Sequence, residues 1–203
     1  ENINWKKTLG ENWNQYQNIF PMPDSLSFEE AAAIPLVFTT AWRMVVTKAN
    51  LRAGEWALIH AAGSGVGTAA IQIASLLGAR VITTAGSDEK LAKAKTLGAD
   101  FGINYSSSDF VAEVMDITEG AGVGLVIDTV GGSVFEDSLR AMGKGARLVT
   151  CGTTAEPKCQ INVQTLYQSI QLCATQENTW EYLRLIKHCS RARFWQATKE
   201  FHT

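Results

Sequence analysis

The chain has 203 residues, 46% hydrophobic and 19% charged, with a formal net charge of −2. That length buries one good core and makes a single domain the default, while the mildly acidic balance excludes a general attraction to nucleic acid or to an anionic membrane. The longest apolar stretch, Ala31 to Trp42, is broken by Pro35 and two threonines and does not read as a membrane span, and Asn2 to Gln17 is too polar for the apolar core of a secretion signal.

Residues 1–24 are Asn-rich and polar, with scattered aromatics and two prolines, Pro21 and Pro23; they read as a lead-in and linker to a domain covering 25–203. Ser27 and Glu30 form a capping box before a helix from Phe28 to Ile34. Pro35 is expected to end that helix, and a second one to run from about Leu36 to Thr47. Trp56 to Ala61 is a short apolar run between glycines, the pattern of a buried strand. The glycine-rich segment Gly63-Ser64-Gly65-Val66-Gly67 turns into a helix from Thr68 to Leu77, stopped at Gly78.

The alternation then becomes regular. Strands are predicted at Arg80 to Ala85, Phe101 to Asn104, Gly124 to Thr129 and Arg147 to Cys151. Helices fall between them at Asp88 to Leu97, capped by Ser87, at Asp109 to Thr118, and at Ser133 to Met142. Strands and helices alternating at this spacing imply an α/β fold, a doubly wound parallel sheet of the Rossmann kind. The expected strand order is 3-2-1-4-5, with a sixth strand near Ile170 to Thr175. Beyond it, Trp180, Leu183, Ile186 and Lys187 are spaced for an amphipathic helix, and the basic residues after Ser190 read as a solvated end.

The glycine turn is the chemical centre of this pattern. A helix N-terminus offers unpaired N–H groups and a partial positive charge, and glycines let a pyrophosphate approach that backbone without meeting a Cβ. The position between a strand and a helix is the context such a motif requires; the alternative is a plain strand-turn-helix connection. Cys151, Cys159, Cys173 and Cys189 form no C-x-x-C pair and have no histidine at zinc spacing, so free thiols in a reducing cytoplasm are expected. His60, late in the central strand, reads as a satisfied core histidine rather than a ligand.

Several stretches together resemble the cofactor domain of the medium-chain dehydrogenase/reductase superfamily, especially its quinone oxidoreductase-like and zinc-type alcohol dehydrogenase members. They are SFEEAAAIPLVFTTAW, LRAGEWALIHAAGSGVGTAAIQIASLLGARVI, KTLGAD, INY at 103–105, VIDTVGG and LRAMGKGARLVTCG. The family pattern A-x-x-G-x-x-G falls on Ala61, Ser64 and Gly67, with Ser64 where glycine is usual. The resemblance implies NADP(H) as cofactor, bound by Gly63, Ser64, Gly65, Val66 and Gly67. The acidic residue that NAD enzymes place after the second strand is replaced here by Gly86. Lys90 stands in the first turn of the next helix, where a cation opposes the macrodipole and gains only if an anion lies opposite. A 2′-phosphate is such an anion; Ser87 can donate to it, and in similar reductases the positions of Lys90 and Tyr105 bind it. The alternative for Lys90 is a solvated surface lysine.

At the nicotinamide end the resemblance points to Thr40, to Val130 through its backbone, and to Gly152. For Thr40 the alternative is a hydroxyl bonded back to its own helix. Leu36 stands where zinc-dependent relatives carry a ligand, so no metal is expected. The resemblance further implies that the N-terminal catalytic domain of the family is lacking here. The expected function is hydride transfer between NADPH and a quinone, enone or carbonyl, with no residue that reads as a proton donor. The alternatives are a dinucleotide-binding module without turnover, acting as a partner subunit, and a fragment of a zinc-dependent alcohol dehydrogenase. A small-molecule substrate, no nucleic acid, no membrane, and a homodimer through the edge strand near 170–175 complete the expectations.

Overall fold

The structure is a computed structural model that describes residues 22–162, 164, 167 and 171–174. The readings made for 1–21 and for 177–203 lie outside the described residues. The chain divides into two compact units, one of them Leu36–Gln176. In the other, the described part opens with the capping box: Glu30 N–H donates to Ser27 Oγ at 3.2 Å and Ser27 N–H to Glu30 Oε2 at 2.7 Å.

That box starts α1, Phe28–Trp42, and here one expectation fails. The helix does not stop at Pro35 but runs through it. A proline inside a helix gives up one backbone bond and costs about 3 kcal/mol. Ala31, Ala32 and Ala33, the best helix formers, fill the turn before it with Ile34, and the apolar run after it continues the helix. After Trp42 the helix widens into a six-residue π-helical stretch, Arg43–Lys48, in place of the single α-helix expected to Thr47.

The elements that follow are β1 (Trp56–Ile59), α2 (Gly65–Leu76), β2 (Arg80–Ala85), α3 (Asp88–Thr96), β3 (Phe101–Asn104), α4 (Phe110–Ile117), β4 (Val123–Asp128), α5 (Gly132–Ala141), β5 (Met142–Thr150) and β6 (Gln171–Ala174). The six strands form one sheet in the order β3-β2-β1-β4-β5-β6, every pair parallel. This is the doubly wound order read from the sequence, with β6 at the edge of the described sheet. Sequence order reverses at β1, which has β2 on one side and β4 on the other, so a crevice opens beyond the carboxyl ends of these strands.

Burial explains the strand sequences. Ala57, Leu58, Ile59, Val81, Ile82, Leu125, Val126 and Ile127 are all fully buried, as expected for strands covered on both faces. Leu58, Ile82, Ile103, Val126 and Leu148 carry one apolar cluster across five strands, closed from one side by Phe110, Val114 and Leu139. The buried Thr83 hydroxyl is satisfied by the Ile59 carbonyl at 2.7 Å. At the opposite end of the sheet Arg147 grips Glu55 through both oxygens, at 3.0 and 2.8 Å, and donates to the Ala49 carbonyl at 2.9 Å. This two-bond geometry fastens the turn before β1 to β5, and the Arg147 hydrogen bond holds the Glu55 carboxyl below its ordinary pKa despite partial burial.

Between β1 and α2 the backbone is packed against itself. A Cβ on Gly67 would overlap the Ala61 carbonyl oxygen, and the neighbouring Ser64 Oγ would stand 2.9 Å from it. Backbone has no room to give, so Gly67→Ala is expected to lose about 2 kcal/mol of stability by overpacking. Urea unfolding of the two chains checks this, and equal midpoints with equal slopes would contradict it.

Candidate functional site

The site begins where β1 ends, two residues earlier than the sequence pattern suggests. His60 N–H still bonds to Ile127 O at 3.1 Å, but Ala61 turns into the left-handed region at φ 56. That conformation is unfavourable for an alanine by roughly 1–2 kcal/mol. Two bonds hold it in place: Ala62 N–H to Thr84 O at 2.9 Å and Ser64 N–H to Ala61 O at 2.8 Å.

Ser64 is the N-cap of α2. Its backbone is extended, and its hydroxyl accepts from Gly67 N–H at 3.0 Å. The helix therefore starts at Gly65, three residues before the expected Thr68. A serine where the family pattern has glycine thus acts as a cap. Thr68 N–H is taken by Ser64 O at 2.9 Å. The amides of Gly65 and Val66 belong to the first turn, have no carbonyl behind them in the helix, and find no partner among the described residues. Gly65 is glycine for a second reason: a Cβ there would stand 2.7 Å from Val37 Cγ1 on α1.

The sheet and α3 bring four predicted residues together beside this turn. A Cβ on Gly63 would lie 3.1 Å from Lys90 Cδ, and a Cβ on Gly86 would lie 2.9 Å from the Tyr105 hydroxyl. Lys90 and Tyr105 thus lie over two bare backbone positions, and both are exposed. The carboxylates nearest in sequence are engaged elsewhere: Asp88 accepts from Asn104 Nδ2 at 2.7 Å, and Glu89 pairs with Lys93 at 3.0 Å. No carboxylate pairs with Lys90 among the described residues. Ser87 occupies the N-cap position of α3 as predicted, but its hydroxyl makes no cap bond.

The residues expected at the nicotinamide end, Thr40, Val130 and Gly152, carry hydrogen bonds of their own. The Thr40 hydroxyl donates back to Leu36 O at 2.8 Å, the ordinary habit of a helix-interior threonine. Val130 has both backbone groups engaged: its N–H donates to Asp128 Oδ1 at 2.9 Å and its carbonyl accepts from Ala155 N–H at 2.9 Å. Only a second lone pair on that carbonyl stays open to a ligand. Asp128 is fully buried and also accepts from Gly131 N–H at 3.2 Å. Burial pushes its carboxyl up, opposed by these two amides. The Gly152 carbonyl accepts from the Thr150 hydroxyl at 3.1 Å.

A cleft of about 520 Å³ opens between these two halves. Its walls include Tyr105, Phe110, Val134 and Arg140, with His60 and Thr84 at its floor. Of these, Thr84, Phe110, Val134 and Arg140 carry no signal in the sequence that singles them out. They stand at the carboxyl end of β2 and on the cleft sides of α4 and α5, a placement that only the strand register reveals.

The zinc-binding dehydrogenase family matches residues 65–188, more than half of the chain. The chain belongs to the medium-chain dehydrogenase/reductase superfamily. Among curated members, a phenolphthiocerol/phthiocerol polyketide synthase of Mycobacterium tuberculosis is 37% identical over 134 residues, 66% of this chain and 6% of that protein. The lovastatin diketide synthase of Monascus pilosus is 35% identical over 168 residues, 81% of this chain and 7% of that protein. Among solved members, an NAD-dependent alcohol dehydrogenase superposes with a TM-score of 0.76 at 42% identity, over 84% of this chain and 51% of its own. A Pseudomonas syringae quinone oxidoreductase gives 0.78 at 30%, over 89% and 58%. A mycobacterial protein complexed with NADPH gives 0.77 at 29%, over 87% and 56%. This medium-chain dehydrogenase/reductase chain therefore spans a small fraction of its curated relatives and little more than half of the solved ones.

The family description names zinc, but the described residues do not make a zinc site: no three His, Cys, Asp or Glu side chains stand together among them, and Leu36 offers no ligand atom. They do suit a dinucleotide, with two open amides at the α2 N-terminus and a lysine and a tyrosine lying over bare backbone.

Burial pushes the His60 pKa down from 6.5 to about 4. The unfolded chain therefore takes up a proton at His60 that the folded chain refuses, and stability falls as pH drops from about 6.5 towards 4. The whole effect is on the order of 3 kcal/mol. Unfolding midpoints across this range are expected to fall for the unaltered chain and to flatten in His60→Gln; parallel pH profiles would contradict the assignment.

Proposed function

We propose that the chain is the NADP(H)-holding domain of an oxidoreductase that moves hydride between NADPH and a quinone, enone or carbonyl. The observation that carries this is the pairing of Lys90 over Gly63 with Tyr105 over Gly86, where NAD-preferring folds place a carboxylate. One similar structure is of an NAD-dependent enzyme and another is complexed with NADPH, so the choice rests on these residues. In this reading the Gly65 and Val66 amides take the pyrophosphate. Lys90, with Tyr105 and Ser87, takes the 2′-phosphate, and the cleft beside Tyr105 and Phe110 holds the adenosine.

When bound, the cofactor would supply the chemistry, a hydride for the acceptor carbon. This chain's residues bind, orient and shield. The reading of the acceptor as a conjugated carbonyl draws on the quinone oxidoreductase and on an enoyl reductase of similar structure. A second reading, a module that holds the dinucleotide without turnover, draws on the nicotinamide side, where the Thr40 hydroxyl and the Val130 amide are already bonded within the protein.

Two measurements test these readings. Lys90→Ala removes a charge-assisted contact and is expected to weaken NADPH binding roughly tenfold while leaving NADH within about twofold; equal losses would contradict the 2′-phosphate assignment. NADPH consumption with a quinone or enone acceptor is expected for the oxidoreductase, whereas uptake without consumption would favour the module.

A further inference from the structure

His60 is the last residue before the chain turns at Ala61, and it is 2% exposed. Its Nε2 lies 2.8 Å from Ser138 Oγ on α5, and its Nδ1 lies 2.9 Å from Thr84 Oγ1 on β2. Counting protons assigns the roles. Ser138 Oγ is also 2.6 Å from the Val134 carbonyl, which can only accept. The one hydroxyl proton of Ser138 therefore goes to Val134, and Ser138 accepts from His60 Nε2–H. A neutral imidazole has a single N–H, so Nδ1 accepts, and its donor is the Thr84 hydroxyl. The ring is closed edge-on by Phe110, with centroids 5.1 Å apart.

The three elements joined in this way carry different parts of the cleft. His60 leads directly into the phosphate turn, Thr84 stands two residues before Gly86, and α5 presents Val134, Asp137 and Arg140 to the opening. We propose that His60, fixed as the Nε2–H tautomer, is a positioning residue that sets the width of the cleft between the glycine turn and α5. The role in binding rests on the NADP(H) reading above; the tautomer and the three-element link do not.

The test uses the whole purified chain. Nitrogen-15 NMR of the histidine side chain is expected to show a protonated Nε2 and a bare Nδ1 in the free chain, unchanged on adding NADPH. His60→Leu keeps the ring's approximate volume without its hydrogen bonds and is expected to weaken binding of 2′,5′-ADP roughly tenfold. His60→Gln, whose amide reaches Ser138 as a donor, is expected to recover most of that loss. A simple loss of packing would not be rescued in this way. Ser138→Ala provides an independent arm if His60→Leu does not fold, and is expected to weaken 2′,5′-ADP severalfold. An Nδ1–H tautomer, or a folded His60→Leu or Ser138→Ala chain that binds as before, overturns the proposal. Failure of the unaltered chain to take up either ligand overturns the NADP(H) reading, and with it the binding role, while the NMR assignment still decides the tautomer.

Discussion

The tightest constraint at the site is the approach of Gly67 to the Ala61 carbonyl. No side chain fits between them, and that contact sets where α2 begins relative to β1. Because β1 is the strand at which the sheet order reverses, the start of α2 is also the centre of the crevice. The left-handed Ala61, the Ser64 cap and the exposed first-turn amides all follow from bringing a helix N-terminus this near to a strand end. An isolated strand and helix gain nothing from such strain. It persists because the fully buried core of β1, β2 and β4 fixes the strand end, and because Ser64 satisfies one of the donors that the turn creates.

Charge and space beyond the end of β2 complete the arrangement. Gly86 follows the end of β2, and the volume a side chain would occupy there is taken by the Tyr105 hydroxyl. Gly63 leaves the matching volume to the Lys90 stem. Asp88 and Glu89, which stabilise the start of α3 by their charge, are occupied by Asn104 and Lys93 and leave the lysine to face the crevice. The far side is organised by a buried carboxylate instead. Asp128 draws the Val130 and Gly131 amides inward, and the loop after β5 ties the Val130 carbonyl through the Ala155 amide.

Local sequence carries the fold a long way, because strand ends, caps and glycine stops are written in adjacent residues. The strand order, five strands to within two residues and the glycine turn at 63–67 between β1 and α2 are legible for that reason. The exception is β5, which pairs with β4 along Arg147–Thr150 but begins early, at Met142. Pro35 misleads because a proline's local preference takes no account of the alanines around it. A family position says which residue is near a ligand; it does not say that the Val130 amide already donates to Asp128 or the Thr40 hydroxyl to Leu36 O. The link from His60 to Thr84 and Ser138 is illegible for a different reason. Its partners lie 24 and 78 residues away, and only the crossover geometry brings them to one ring.

The central claim is that two amides at the start of α2 receive a diphosphate. Proton–nitrogen NMR of the purified chain during a dinucleotide titration observes them directly. The Gly65 and Val66 amide protons are predicted to move to lower field and to saturate together. The Gly67 amide, already bonded to Ser64, should hold its position. Binding that leaves Gly65 and Val66 unmoved, with the shifts confined to other segments, would contradict the claim.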